Sequence, residues 1–196
     1  MEAVTPELAR VNTHVYGDAM SERLTKADWI GHGLRTLASD GPNALKVGPM
    51  ATRLKVSRGS FYWHFRDIAD FRAQLLQSWR ERTTDQTIRE LEAQAGPDRL
   101  RYLLRRGLEG RLSLDRAIRS WAAEDADVAR VVASVDDGRV TYIARLLVAA
   151  GVDGRRAQDR AAFLYWAYLG RAIVMDPRHA TIDLSAIDDI SDLFER

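Results

Sequence analysis

The chain contains no cysteine. That excludes a disulfide scaffold, a thiolate zinc site and a thiol nucleophile. Proline is scarce, at Pro6, Pro42, Pro49, Pro97 and Pro177 only, so long stretches run without a breaker. An excess of one charge is missing too: 29 basic residues face 28 acidic ones in 196, a formal net charge of +1. No segment can span a bilayer. The longest apolar-rich run, Ala161 to Met175, is 15 residues and holds Arg171, whereas a span needs roughly 20. No basic stretch leads into an apolar run at the N-terminus, so no secretory signal is read and a cytoplasmic location is expected. Lysine is the rarest charge: three against 26 arginines, as Lys26, Lys46 and Lys55, all in one short stretch.

What is present is a foldable, helical sequence. At 46% hydrophobic residues the chain can bury a core. The stretches between prolines carry Ala, Leu, Arg and Glu with apolar spacing near 3.6, and no apolar/polar alternation is bounded by turn dipeptides. The expected fold is all-α. Helices are expected from an N-cap at Thr25 to Asp40, from about Gly48 to Leu54, from Arg58 to His64 with Ser57 as cap, and from Asp67 onward through Trp79. Further helices are expected over about Thr83–Ala95, Asp98–Arg111, Leu114–Ala123 with Ser113 as cap, Asp127–Ala150, Arg155–Met175 and Leu184–Phe194.

The first three helices fall within about 40 residues, with a tight turn at LKVSR between the second and third, which is the form of a helix-turn-helix. Phe61 and Phe65 stand four apart and share a face. With Ala51, Leu54 and Val56 they can form a small core. Arg58, Ser60, Tyr62, Trp63 and His64 then point outward. Such a face dissolves poorly but suits a DNA major groove, where Arg can bridge guanine and aromatic carbons can meet a thymine methyl. Local charge agrees. Residues 22–66 hold eight basic and three acidic residues, while residues 81–196 hold 18 arginines against 20 acids. The near-neutral total hides a basic segment, the footprint of phosphate binding.

VSRGSFYWHFRD, preceded by LTKADWIGHGLRTLASDG and MATRLK, resembles the DNA-binding segment of TetR-type transcriptional regulators over roughly Leu24 to Trp79. AIRSWAAEDADVARVV with VDDGRVTYIARLLVAAG resembles C-terminal sequence in part of that family. The resemblance implies a homodimer on a two-fold DNA operator, probing base edges with Arg58, Gly59, Ser60 and Trp63. It implies phosphate contacts from Tyr62 and His64, and from Thr25 and Lys26 at the start of the first helix. Lys46 and Arg66 are added to that phosphate set. It also implies a divergent C-terminal domain that binds a small-molecule effector. Two positions depart from the family: Ile68 stands where a Lys is frequent, and Lys55 where the turn usually has Gly. If Lys55 takes a positive φ, it costs on the order of 1 kcal/mol.

Three parts are therefore expected: a mobile extension over 1–21, a helix-turn-helix domain over 22–68, and a helical ligand-binding and dimerisation domain over 69–196. The extension carries a net charge of −2, the wrong sign for a DNA-gripping arm, and Met20 would make an ordinary start. The helix at Ala161–Met175 is apolar almost all round, so a partner subunit is its expected cover. The interface residues expected are Val131, Val135, Tyr142, Leu146, Leu164, Tyr168 and Ala172, two helices per chain making a four-helix contact. Expected pocket residues are Trp79, Tyr102, Arg106, Trp121 and Trp166, with Arg105 or Arg119 as further partners for an acidic ligand.

The expected function is a DNA-binding transcriptional regulator, a repressor by resemblance, with an activator or a helical protein–protein adaptor as the alternatives. Enzyme chemistry finds no support. His14, His32, His64 and His179 include no helical metal pair, and no P-loop, dinucleotide fingerprint or G-x-S-x-G occurs. No metal, cofactor or catalytic residue is expected.

Overall fold

A computed structural model of the protein describes residues 24–94, 98–110, 112–173, 182, 183 and 185–195, with the side chains of 172 and 173 excepted. The expected extension over 1–21 lies outside the described residues. The described chain is helical and holds no strand. Helix α1 (Lys26–Asp40) starts on a capping box: the Asp28 amide donates to the Thr25 hydroxyl oxygen at 3.2 Å, and the Thr25 amide donates to the Asp28 carboxylate at 2.8 Å. It ends at Gly41, whose φ of 77° opens a turn into Pro42–Ala44. Its apolar stripe, Trp29, Ile30, Leu34 and Leu37, is buried as its spacing predicts. Gly33 lies on the same stripe, and a Cβ there would come within 2.5 Å of the Phe71 ring. That position lets α1 and α4 approach closely.

Helix α2 (Val47–Arg53) and helix α3 (Arg58–Tyr62) are joined by a closed turn. The Val56 amide donates to Ala51 O at 3.0 Å and the Lys55 amide to Thr52 O at 3.1 Å. These two bonds make a Schellman motif, which demands a left-handed residue at its C′ position. Here that residue is Lys55, with φ 57°. The helical hydrogen bonding of α3 continues through Trp63 to Phe65, whose amide donates to Phe61 O at 3.1 Å. Ser57 precedes α3 in extended backbone but makes no side-chain cap bond.

Helix α4 (Ile68–Arg80) begins on Asp67, which accepts from the Asp70 amide at 2.8 Å. It passes without a break through a π-turn (Glu81–Asp85) into α5 (Gln86–Glu92). The separate helix expected from Thr83 is thus the continuation of α4. Helices α6 (Arg99–Glu109), α7 (Ser113–Ala122), α8 (Ala126–Ala149), α9 (Gly154–Ile173) and α10 (Ala186–Glu195) follow close to the expected bounds. Ser113 is the first residue of α7 rather than its cap.

Two apolar cores result. The first gathers Trp29, Phe61, Phe65 and Phe71 edge to face, with Trp29–Phe61 and Phe65–Phe71 ring centroids 5.3 and 4.9 Å apart. It extends through Trp79 to Trp121, Val128 and Val132. The helix-turn-helix is therefore not insulated at residue 68, because α1 packs on α7 as well as on α4. The second core joins α6, α8, α9 and α10 through Leu100, Ile143, Leu147, Ala161 and Leu164. Arg101 and Arg105 of α6 tie down α10 through Asp188 and Asp192.

Candidate nucleic-acid interface and an internal cavity

Phe61 and Phe65 are buried in the first core, so the opposite side of α3 is turned to solvent. Trp63 is 86% exposed and Tyr62 59%. Arg58, Gly59 and Arg66 are exposed too, as are Lys26, Lys46 and Lys55. Lys26 holds its ammonium 5.6 Å from the Phe65 ring centroid. Arg58 lies across α2 where Gly48 leaves room; a Cβ there would be 3.0 Å from its guanidinium. Among the described residues, none of Lys26, Lys46, Lys55, Arg58 and Arg66 forms an ion pair; Arg53 does, with Asp40 at 2.7 Å.

Three of the expected contact residues are already engaged inside the domain. His64 Nε2 donates to the Leu24 carbonyl at 2.8 Å, so one nitrogen ties α3 to the start of α1 instead of facing outward. Ser60 is half-buried, and its hydroxyl accepts from Trp29 Nε1 at 3.4 Å. The Thr25 hydroxyl is spent on the Asp28 carboxylate at 2.6 Å. Tyr62 and Trp63 remain outward, with cations that form no ion pair among the described residues.

The second site is internal. A cavity of about 660 Å³ lies among the π-turn, α5, α6, α7, α8, α9 and α10. Its body is aliphatic, from Ile88, Leu103, Leu104, Ile143, Ile187 and Ile190. One wall is polar. The Asp115 carboxylate accepts from Trp79 Nε1 at 2.7 Å, from the Tyr168 hydroxyl at 2.9 Å and from Arg139 at 3.1 Å. Arg139 also donates to Thr83 and Thr84 of the π-turn, both at 2.9 Å. Next to this cluster Arg119 grips Asp136 with two bonds of 2.9 and 2.6 Å, and the Tyr165 hydroxyl donates to Asp136 at 2.6 Å. The cluster binds α4 and its π-turn to α7, α8 and α9.

Electrostatics follow from that geometry. Burial alone would raise the Asp115 carboxyl; Arg139 and the donors from Trp79 and Tyr168 overcome it and hold the group below the usual carboxylate range. Burial pushes the Tyr165 hydroxyl up to about 12, and its bond to Asp136 adds to the rise against the pull of Arg139 and Arg119. The Tyr168 hydroxyl is raised by burial and by the adjacent Asp115 charge. Arg139 stays charged: burial opposes it, but Asp115 and the two tyrosines outweigh burial.

Of the expected pocket residues, Arg106 lines this cavity, and it pairs with Glu90 at 2.7 Å. Trp79 is wholly buried behind the polar wall, because its indole is needed by Asp115. Trp121 is buried in the first core, under the Arg72 guanidinium. Tyr102 and Trp166 face solvent at 37% and 66% exposure. Arg105 and Arg119 are committed to Asp188 and Asp136.

The expected interface set turns inward for the same reason that the helices need a core. Val135, Tyr142, Leu146 and Leu164 are buried within the protomer, Val131 packs against the first core, and Tyr168 lines the cavity. The side chain of Ala172 lies outside the described residues. The large apolar side chains that α8 and α9 leave exposed among the described residues are Val148, Phe163 and Trp166. The polar wall went unread in the sequence. Asp136 with Arg139, and Tyr165 with Tyr168, are i, i+3 pairs on two apolar helices, and that spacing was the available signal.

The sequence matches no family model. It also matches no curated protein. Solved structures share its fold. The transcriptional regulator FadR from Bacillus subtilis, in complex with stearoyl-CoA, superposes with a TM-score of 0.64 at 13% identity, over 87% of this chain and 97% of that one. A Rhodococcus sp. protein classed as a TetR-family transcriptional regulator gives 0.63 at 20% identity, over 86% and 98%. A Streptomyces coelicolor A3(2) protein classed as a transcriptional regulator, SCO7518, gives 0.56 at 21%, over 83% and 95%. The chain has the all-α fold of the TetR-type regulators, and these structural neighbours are transcriptional regulators rather than enzymes. Among the described residues no helix is long and apolar enough to cross a membrane.

Proposed function

We propose that the chain is a sequence-specific DNA-binding regulator of transcription. The observation that carries this reading is the outward side of α3 and its surroundings. Trp63 and Tyr62 stand exposed, as do Lys26, Lys46, Lys55, Arg58 and Arg66, none of which forms an ion pair among the described residues. Unpaired cations beside exposed rings are what phosphate and base contacts require. Arg58 and Trp63 reach base edges, with Gly59 allowing close approach of the backbone. Tyr62, Lys26, Lys46 and Arg66 hold phosphates. His64 acts mainly by fixing α3 against α1.

The protein works as a homodimer on a two-fold operator, its two α3 helices about one DNA turn apart. Exposed Val148, Phe163 and Trp166 on α8 and α9 support that assembly, since an uncovered apolar patch calls for a partner. It acts as a repressor released by a small molecule in the cavity. The transmitting element is α4, joined to the polar wall through Trp79, Thr83 and Thr84. The stearoyl-CoA held by the Bacillus subtilis neighbour supports a small-molecule role for the C-terminal half. An effector shifts the equilibrium only by binding the two states unequally.

Selection of bound fragments from the source genome tests this directly. The expected result is a short inverted repeat, with a steep salt dependence. Arg58→Ala is expected to cost roughly 1–3 kcal/mol on that site and less on random DNA. No enrichment of any fragment, with salt-independent binding, overturns the reading.

A further inference from the structure

Helix α3 is too short to hold its own position. It spans five residues, Arg58–Tyr62, and Ser57 before it makes no side-chain cap bond. Isolated helices shorter than about 12–15 residues are marginal in water. Phe61 and Phe65 sink into the first core, but apolar burial is non-directional and leaves so short a helix free to roll. Two directional bonds to α1 remove that freedom. Ser60 and His64 stand four apart on the side of α3 toward α1. Trp29 Nε1 donates to the Ser60 hydroxyl oxygen at 3.4 Å, and His64 Nε2 donates to the Leu24 carbonyl at 2.8 Å. That carbonyl lies outside the ladder of α1, whose first amides, Asp28 and Trp29, go to Thr25 O. The anchor itself is firm, because the Thr25–Asp28 box closes the same turn. Between the two bonds, Lys26 holds its ammonium 5.6 Å from the Phe65 ring centroid. The start of α1 and the end of α3 are thus fastened at three points.

We infer that His64 and Ser60 are positioning residues that set sequence specificity without touching DNA. They fix the roll of α3 against α1, and with it the placing of Arg58 and Trp63 relative to Lys26. Hydrogen bonds to base edges weaken steeply as the donor turns away. The attraction of a cation to phosphate falls slowly with distance and carries no sequence information. Loosening α3 therefore harms operator binding more than binding to random DNA. A His64 that held a phosphate would support both alike. The DNA part of this inference rests on the regulator reading above; the lock between α1 and α3 does not.

Titrations of the full chain with the selected operator and with random duplex test it, beside hydrogen exchange of the free protein. His64→Ala is expected to weaken operator binding about tenfold and random binding less than about twofold, with the salt slope unchanged. His64→Gln keeps an N–H donor and is expected to recover most of the operator loss. Ser60→Ala is expected to act in the same direction by about threefold, its bond being the longer. In the free protein, the Trp63, His64 and Phe65 amides close the last turn of α3. They are expected to exchange about tenfold faster in His64→Ala while the α8 amides keep their protection, which separates loosening from unfolding. Equal losses on operator and random DNA overturn the inference. So does a shallower salt slope, no recovery in His64→Gln, or unchanged exchange in α3. A wild-type chain that selects no fragment removes the regulator reading, and exchange alone then decides whether the lock exists.

Discussion

Arginine is used in two opposite ways at the two ends of this molecule. Around α3, Lys26, Lys46, Lys55, Arg58 and Arg66 stand in solvent with no ion pair among the described residues, Arg53 alone being paired, with Asp40. Beyond α4 two buried arginines are compensated: Arg119 and Arg139, each only about one-tenth exposed, are locked to Asp136 and Asp115. A cation left uncompensated on the surface is available to an external anion. A cation buried with its counter-ion fixes the helices that carry it. The partner, more than the residue type, decides which job is done.

The sharpest way to break that contrast is to free a buried charge. Asp115→Ala removes the acceptor of Trp79, Tyr168 and Arg139 and leaves a guanidinium inside the fold. It is expected to cost about 3–5 kcal/mol in denaturant unfolding. The double variant Asp115→Ala/Arg139→Met removes both charges and is expected to recover most of that loss. A double variant as unstable as the single one would show that the hydrogen bonds, not the charge, carry the wall.

Titration sharpens the same contrast without mutation. The Asp115 carboxyl is lowered in the fold, so its stabilisation is complete above the unfolded value near 3.9 and is lost as pH falls through the folded one. The Tyr165 hydroxyl is raised to about 12, so the opposite sign applies. Its contribution is complete below the unfolded value near 10 and is lost as pH rises toward 12. The alkaline loss is expected to be on the order of 2 kcal/mol. Unfolding midpoints against pH, with tyrosinate absorbance as the marker, measure it. In Tyr165→Phe the alkaline fall is expected to shrink.

At the exposed end, Trp63→Ala is expected to leave unfolding within about 0.5 kcal/mol, because an 86% exposed ring has little packing to lose. Its effect should fall on operator affinity, by roughly 1–3 kcal/mol. Paired stability and DNA-binding measurements check this. A loss of stability larger than the loss of binding would place Trp63 in the fold rather than on DNA.

These two ends were not equally legible in the sequence. The helix-turn-helix was readable because its signals are local. The Thr25–Asp28 box, the i, i+4 pair Phe61 and Phe65, and the breaker at Gly41-Pro42 each act within a few residues. Helix bounds further along were readable for the same reason. The cavity was not. Its wall joins Trp79, Asp115, Arg139 and Tyr168 from four helices, and no spacing in one sequence states which of them meet. Large aromatics drew attention as pocket residues, yet Trp79 and Trp121 were needed by the core. On α8 and α9 both the buried and the exposed sides carry apolar residues, so spacing alone does not separate them. His64 was unreadable for the same reason: its partner is 40 residues away. Its Nε2 meets the Leu24 carbonyl at 2.8 Å.

Two turns show the same trade on a smaller scale. After α8, the Gly151 amide donates to Val148 O and the Val152 amide to Leu147 O, both at 3.0 Å, which repeats the Schellman pattern that follows α2. The C′ residue is left-handed in both, with φ 100° at Gly151 and 57° at Lys55. Glycine takes that conformation without strain; lysine pays on the order of 1 kcal/mol for its Cβ. Lys55→Gly is therefore expected to raise stability by about 0.5 kcal/mol, the greater freedom of glycine in the unfolded chain absorbing the rest. If Lys55 is kept as a phosphate contact, the same change should lower operator affinity and make the slope of log K against log salt shallower by about 0.9. Gly151→Lys gives the mirror experiment: a loss on the order of 1 kcal/mol with DNA binding untouched. A Lys55→Gly variant with an unchanged salt slope would mean that the strain is tolerated for no electrostatic return.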